Sequence, residues 1–120
     1  MKVLIIDDDA DIRFVAAMSL RAGGAIDVVE ASGGLDGVCK AREEQPDVIL
    51  LDMMMPGMDG AQTIAALRRQ SETATTPVIF LTAKTIVAEI QGMKNLGAAG
   101  VLIKPFDPRT LASDVLALLT

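Results

Sequence analysis

The sequence predicts an α/β fold: one parallel sheet of five strands, doubly wound, with helices on both faces. Three observations predict it. Short unbroken apolar runs at residues 3–6, 48–51, 78–81 and 101–103 are too brief for helices and read as buried strands. Stretches with helical spacing lie between them, and alternation of this kind implies a parallel sheet. The chain has 120 residues, 51% of them apolar, which is enough to close a sizeable core. Right-handed crossovers leave few topologies, and the open strand order 2-1-3-4-5 is the natural one.

Each element has its own warrant. The first strand, 3–6, ends in Asp7, Asp8 and Asp9. A helix over 11–22 follows, apolar on most sides and so expected to be well covered; Gly23-Gly24 stops it. Residues 27–31 form a more polar strand, suited to a sheet edge, and Ser32-Gly33-Gly34 a turn. A helix over 35–45 ends at Pro46-Asp47. The stretch VILLDMMMPGMDG then runs a buried strand, 48–51, into Asp52. Pro56 holds Met55 extended, and Asp59 with Gln62 three residues on resembles a capping box for a helix over 61–70. Residues 71–76 are a polar loop. Strand four, 78–81, ends at Thr82, and a helix over 85–96 carries Ile86, Ile90 and Met93 on one side. Strand five, 101–103, ends at Lys104-Pro105. Asp107 and Pro108 supply an N-cap and a first-position proline for a last helix, with Leu111, Val115 and Leu118 as its inner stripe.

Composition excludes several classes of function. The net charge of −5 leaves no basic footprint for direct nucleic acid binding. No apolar run approaches the roughly 18 residues of a membrane span, and acid interrupts the N-terminus where a signal peptide would continue. A cytoplasmic protein is expected. Histidine is absent, which removes Ser-His-Asp and Cys-His catalysis and most zinc sites. The one cysteine, Cys39, stands at helical spacing with Leu35, Val38 and Arg42 and is expected to be a small core residue.

In the expected topology, ligands bind at the carboxyl ends of the strands, at the switch point between strands one and three. Strand one delivers Asp7 and Asp8 there, and strand three Asp52. Strands four and five add Thr82 and Lys104 to the same rim. Asp9, and with it Asp11, suits a plain helix cap. Three packed carboxylates repel one another unless a cation joins them, and Mg²⁺ fits best because it uses few carboxylates, keeps waters and accepts a phosphate. Thr82 suits a helix-capping hydroxyl as well as a site residue. Lys104 can neutralise the acids and contact a bound anion. A carboxylate beside Mg²⁺, a lysine and a hydroxyl is equipped for phosphoryl transfer, with the carboxylate as nucleophile.

The motifs IIDDDADIR, LLDMMMPGMDG, IFLTA and LIKPF, in this order and spacing, resemble the response-regulator receiver domain of two-component signalling. The resemblance covers the whole chain and implies a flavodoxin-like fold with residues 1–120 as one receiver domain. It implies that Asp52 is the phosphoacceptor and that Asp7 and Asp8 bind the metal, Asp8 directly, with Asp52 and the Met54 backbone carbonyl completing the protein ligands. Thr82 and Lys104 match the pair that contacts the phosphoryl group. The peptide before Pro105 is expected to be cis. The resemblance further implies a sensor histidine kinase or histidine phosphotransfer protein as donor and a downstream protein target. Output is expected by binding through the face of helix four, strand five and helix five, in a switch that is not a turnover enzyme; a phosphorylation-dependent dimer is a further expectation. Many receivers carry an aromatic residue on strand five where this chain has Val101. With no Tyr or Trp present, a tyrosine-based readout is excluded, and helix four is expected to change more than Val101. Met54 and Lys84 stand where the family tunes hydrolysis; Met54 cannot orient a water and Lys84 can pair with phosphate, so slow self-dephosphorylation is expected.

Two other readings compete. Asp7-Asp8-Asp9 contains the D-x-D arrangement of haloacid-dehalogenase-like phosphatases, with Asp7 as nucleophile, although the chain is short for that class. A receiver-like adaptor that is never phosphorylated is the other.

Overall fold

The structure is a computed structural model that describes residues 1–24, 26–83 and 86–120. Five strands, β1 (Lys2–Ile6), β2 (Asp27–Ala31), β3 (Val48–Asp52), β4 (Val78–Thr82) and β5 (Gly100–Ile103), form one sheet in the order β2-β1-β3-β4-β5. Every pairing is parallel. Five helices connect and follow them: α1 (Ala10–Ala22), α2 (Gly34–Glu44), α3 (Gly60–Arg69), α4 (Val87–Asn95) and α5 (Leu111–Leu118). The expected class and strand order are both present, and polar β2 lies at an edge.

Side chains of a strand alternate between faces, so one buried run feeds two cores. Val3, Ile5, Val48, Leu50, Ile79 and Leu81 pack with Ala16, Ala17 and Leu20 of α1 and with Leu111 and Val115 of α5. Leu4, Ile6, Ile49, Leu51, Val78 and Phe80 pack on the other side with Ala41 of α2, Ile64 and Leu67 of α3, and Met93 of α4. Each fully buried side chain of this size contributes about 1.5–3 kcal/mol. Residues in β3 and β4 are buried throughout, which is why their sequences show no polar alternation.

Helix orientation departs from expectation in three places. On α2 the sheet-facing positions are Gly34, Gly37 and Ala41. A Cβ at Gly37 would lie 2.5 Å from Ile6 Cδ1, so glycine lets the helix backbone approach β1. That turns the opposite stripe outward, and Cys39, expected in the core, is exposed along with Leu35. On α1 the small residues Ala16 and Ala17 face the sheet with Leu20, so the helix is not well covered: Phe14 is 64% exposed and Met18 55%. On α4 only Met93 is buried; Ile86 stands at the N-cap in solvent and Ile90 is half-buried.

Boundaries shift by a residue or so, with one larger exception. Asp9 caps α1 by accepting from the N–H groups of Asp11 and Ile12, as its position suggested. Asp59 and Gln62 form the expected capping box on α3. Asp107, however, does not cap α5. Its carboxylate accepts from the Arg109 N–H at 2.9 Å and its carbonyl from the Thr110 N–H at 3.1 Å, making a separate turn, and α5 begins at Leu111. The expected start of the fourth helix at Thr85, and the role expected of Lys84, lie outside the described residues.

Candidate functional site

Register brings the acids together. The last rung between β1 and β3 pairs Ile6 with Leu51, so Asp7 and Asp52 follow as neighbours at the carboxyl edge. Strand geometry continues to that point, since the Asp7 N–H donates to the Ala31 carbonyl and the Met53 N–H to the Leu81 carbonyl. By alternation both carboxylates fall on the side of α1 and α5. Asp7 is 0% and Asp52 5% exposed, whereas Asp8 is exposed. Oxygen atoms of Asp7, Asp8 and Asp52 lie within 4.8 Å of one another.

Lys104 arrives from β5. Its N–H donates to the Thr82 carbonyl at 2.7 Å, which extends the β4–β5 ladder by one residue, and the Lys104–Pro105 peptide is cis. Its Nζ bridges the two buried acids, 2.9 Å from Asp7 Oδ2 and 3.1 Å from Asp52 Oδ1. The Met54 N–H donates to Asp52 Oδ1 at 3.3 Å, and the Asp9 N–H to Asp7 Oδ1 at 2.9 Å. Thr82 is buried at the end of the adjoining β4. Gly60 opens α3 directly beneath this loop. A Cβ there would lie 2.7 Å from Met53 Cα and 2.9 Å from the Asp52 carbonyl, so only glycine lets α3 support the site from this close.

Two buried carboxylates share one ammonium. Burial, and then the charge of Asp7, push the Asp52 carboxyl up from 3.8 to about 6, against the lowering effects of Lys104 and of the Met54 N–H. Burial draws the Lys104 ammonium down, but its hydrogen bonds and ion pairs with Asp7 and Asp52 outweigh that and raise it overall. The surplus negative charge, with three carboxylates supplying only oxygen donors, suits a hard divalent cation.

The sequence-predicted residues Asp7, Asp8, Asp52 and Lys104 therefore meet at one point, Thr82 closes the neighbouring strand, and Met54 contributes its N–H. Sequence reasoning does not single out Arg13. It ends the IIDDDADIR motif, and its Nη1 donates to the Asp7 carbonyl at 2.7 Å. The only signal for it in the sequence is an arginine one and a half helical turns beyond the acids. Beside Lys104, the side chains of Ile12, Val15, Pro105 and Phe106 line an apolar groove along α1.

The sequence profile described as "Response regulator receiver domain" matches residues 3–116. The chain belongs to the response regulator receiver domain family. This receiver domain is 37% identical over 118 residues to protein PilH of Pseudomonas aeruginosa, covering 98% of this chain and 97% of that protein. It is 42% identical over 119 residues to the DNA-binding dual master transcriptional regulator RpaA of Synechocystis, of which it spans 48%. It thus spans nearly all of PilH but about half of the transcriptional regulators it matches. A high-resolution structure of the chemotaxis response regulator CheY4 of Vibrio cholerae matches with a TM-score of 0.90 and 37% identity, covering 98% of this chain and 97% of that one. The fold described above is thus that of a receiver domain of two-component or chemotaxis signalling.

Proposed function

We propose that residues 1–120 act as one receiver domain whose Asp52 accepts a phosphoryl group from a sensor histidine kinase or histidine phosphotransfer protein, and that the resulting acyl phosphate switches partner binding. The observation that carries this reading is the Lys104 ammonium held between Asp7 and Asp52, with the Asp8 carboxylate alongside. The oxygen donors of Asp7, Asp8 and Asp52 and the Met54 carbonyl would hold Mg²⁺. When bound, the ion supplies charge neutralisation for the phosphoryl oxygens.

The chain's own groups account for the remaining chemistry. An Asp52 carboxylate oxygen forms the new bond to phosphorus as the bond from phosphorus to the donor's imidazole nitrogen breaks, the electron pair staying with nitrogen. The reacting form is the carboxylate; burial and the charge of Asp7 hold its proton to a higher pH in the metal-free protein, and a bound cation would favour the ionised form. Lys104 is placed to follow the negative charge from carboxylate to phosphoryl oxygens. Thr82, buried at the end of the strand between β3 and β5, is the hydroxyl assigned to report the new group. Receiver domains work as switches rather than turnover enzymes, and output here is assigned to the α4–β5–α5 face. That face presents exposed Val87, Ile103 and Leu116, and α4 is anchored in the core by Met93 alone. Val101 packs half-buried against the same core as Met93 and has no ring to rotate. A phosphorylation-dependent dimer would use this surface. No described helix is long and apolar enough to cross a membrane, and we place the protein in the cytoplasm with its phosphodonor.

Intact-mass measurement after incubation with Mg²⁺ and a small acyl-phosphate donor tests the reading. A phosphate adduct that forms on the parent and on Asp7→Asn more readily than on Asp52→Asn supports the switch, and the adduct should persist because Met54 carries no group to orient a water. Steady phosphate release that depends on Asp7, with no adduct at Asp52, would indicate a phosphatase. No adduct in any variant would indicate an adaptor.

A further inference from the structure

Arg13 takes no part in the reaction just described, yet it is held firmly. Its side chain is 17% exposed and spans three elements: it leaves α1, its Nη1 donates to the Asp7 carbonyl at the end of β1, and its Nε lies 3.4 Å from Glu30 Oε1 on β2. The three candidate ligands differ in how they are aimed. The Asp7 carboxylate is fixed by Lys104 and the Asp9 N–H, and that of Asp52 by Lys104 and the Met54 N–H. The Asp8 carboxylate is exposed and makes no hydrogen bond or ion pair with any described residue, so only its backbone directs it. The peptide that enters Asp8 is the one whose carbonyl Arg13 holds.

We infer that Arg13 is a positioning residue for the cation site: its fork pins the Asp7–Asp8 peptide between α1 and β2 and so turns the Asp8 carboxylate toward Asp7 and Asp52. The inference rests on the proposed function, because it takes Asp8 as a cation ligand. A lysine in place of Arg13 would keep the charge but not the fork, since a single ammonium cannot serve Glu30 and the Asp7 carbonyl with the same planar geometry. Groups that orient ligands in this way typically carry roughly 10- to 100-fold of metal affinity.

The test is a titration of the folded, unphosphorylated protein with Mg²⁺ alone, followed by backbone amide shifts. Arg13→Met should weaken Mg²⁺ binding about tenfold, and Arg13→Lys should recover less than half of that loss on a logarithmic scale. Ala16→Gly, which loosens the same helix without touching the turn, should bind Mg²⁺ like the parent. Parent affinity in Arg13→Met overturns the inference. So does full recovery in Arg13→Lys, because charge alone would then suffice, and so does an equal loss in Ala16→Gly. If Arg13→Met does not fold, Arg13→Lys decides: a loss of several fold supports the fork, and parent affinity overturns it. Asp8→Asn separates the two levels. Parent affinity in that variant would overturn the cation reading itself, whereas parent affinity in Arg13→Met alone would leave it standing.

Discussion

Asp52→Asn is expected to be more stable than the parent by about 2 kcal/mol at pH 7 when divalent cations are removed. The Asp52 carboxyl rises from 3.8 to about 6 on folding, chiefly through burial and then through the charge of Asp7. A group raised in this way binds more protons in the folded protein than in the unfolded chain between about pH 4 and 6, so stability falls as pH rises through that window. Above about pH 6 the full cost is present, roughly 1.4 kcal/mol for each pH unit that separates the folded from the unfolded value. Asparagine removes the cost together with its pH dependence, gives up the ion pair to Lys104, and leaves Lys104 to Asp7 alone. Urea unfolding in the presence of a chelator, from pH 4 to 8, should show a parent that weakens toward neutrality and a variant with a flatter profile. Added Mg²⁺ should stabilise the parent and narrow the difference. A variant less stable than the parent at pH 7 would mean that the site is already neutralised without a cation.

Lys104→Met should act in the opposite direction, with a loss of about 3 kcal/mol under the same conditions, the scale expected when one partner of a buried ion pair is removed. Asp7 and Asp52 would then face each other, 0% and 5% exposed, with no ammonium between them. The Lys104 pKa is raised on folding above 10.5, so its contribution is complete below that value and is lost only as pH climbs beyond it. The deficit should therefore be fully present at pH 7. Mg²⁺ should stabilise the variant relative to its own metal-free state, since a ligand at 100 times its dissociation constant contributes about 2.7 kcal/mol. An unchanged unfolding midpoint in chelator would contradict the assigned role of Lys104.

The site was legible in the sequence because its residues come from strand ends. Asp7, Asp52, Thr82 and Lys104 each follow a run too short and too apolar to be anything but a buried parallel strand, and strand order then fixes their neighbours. The Asp59–Gln62 cap was legible for a similar reason, being local chemistry that tertiary packing did not override. Helix facing was much less so. The apolar content of α1 implies cover on most sides and the spacing of Cys39 a place in the core, yet the inner faces belong to Ala16, Ala17, Gly34 and Gly37, where small size permits close approach to the sheet. Cys39 and Phe14 are exposed as a consequence. Asp107-Pro108 carried a sound local signal that was spent on a turn before α5. Arg13 could not be assigned from spacing, because its partners, the Asp7 carbonyl and Glu30, lie on two other elements.

The proposed function places the phosphoryl group on Asp52. Its most direct test is borohydride reduction of the protein after treatment with Mg²⁺ and an acyl-phosphate donor, followed by mass mapping of the peptides. The acyl phosphate is reduced to an alcohol, so the acceptor is marked as homoserine. Conversion at Asp52, dependent on both Mg²⁺ and the donor, is the predicted result. Conversion at Asp7 or Asp8 with Asp52 intact, or none anywhere, would contradict it.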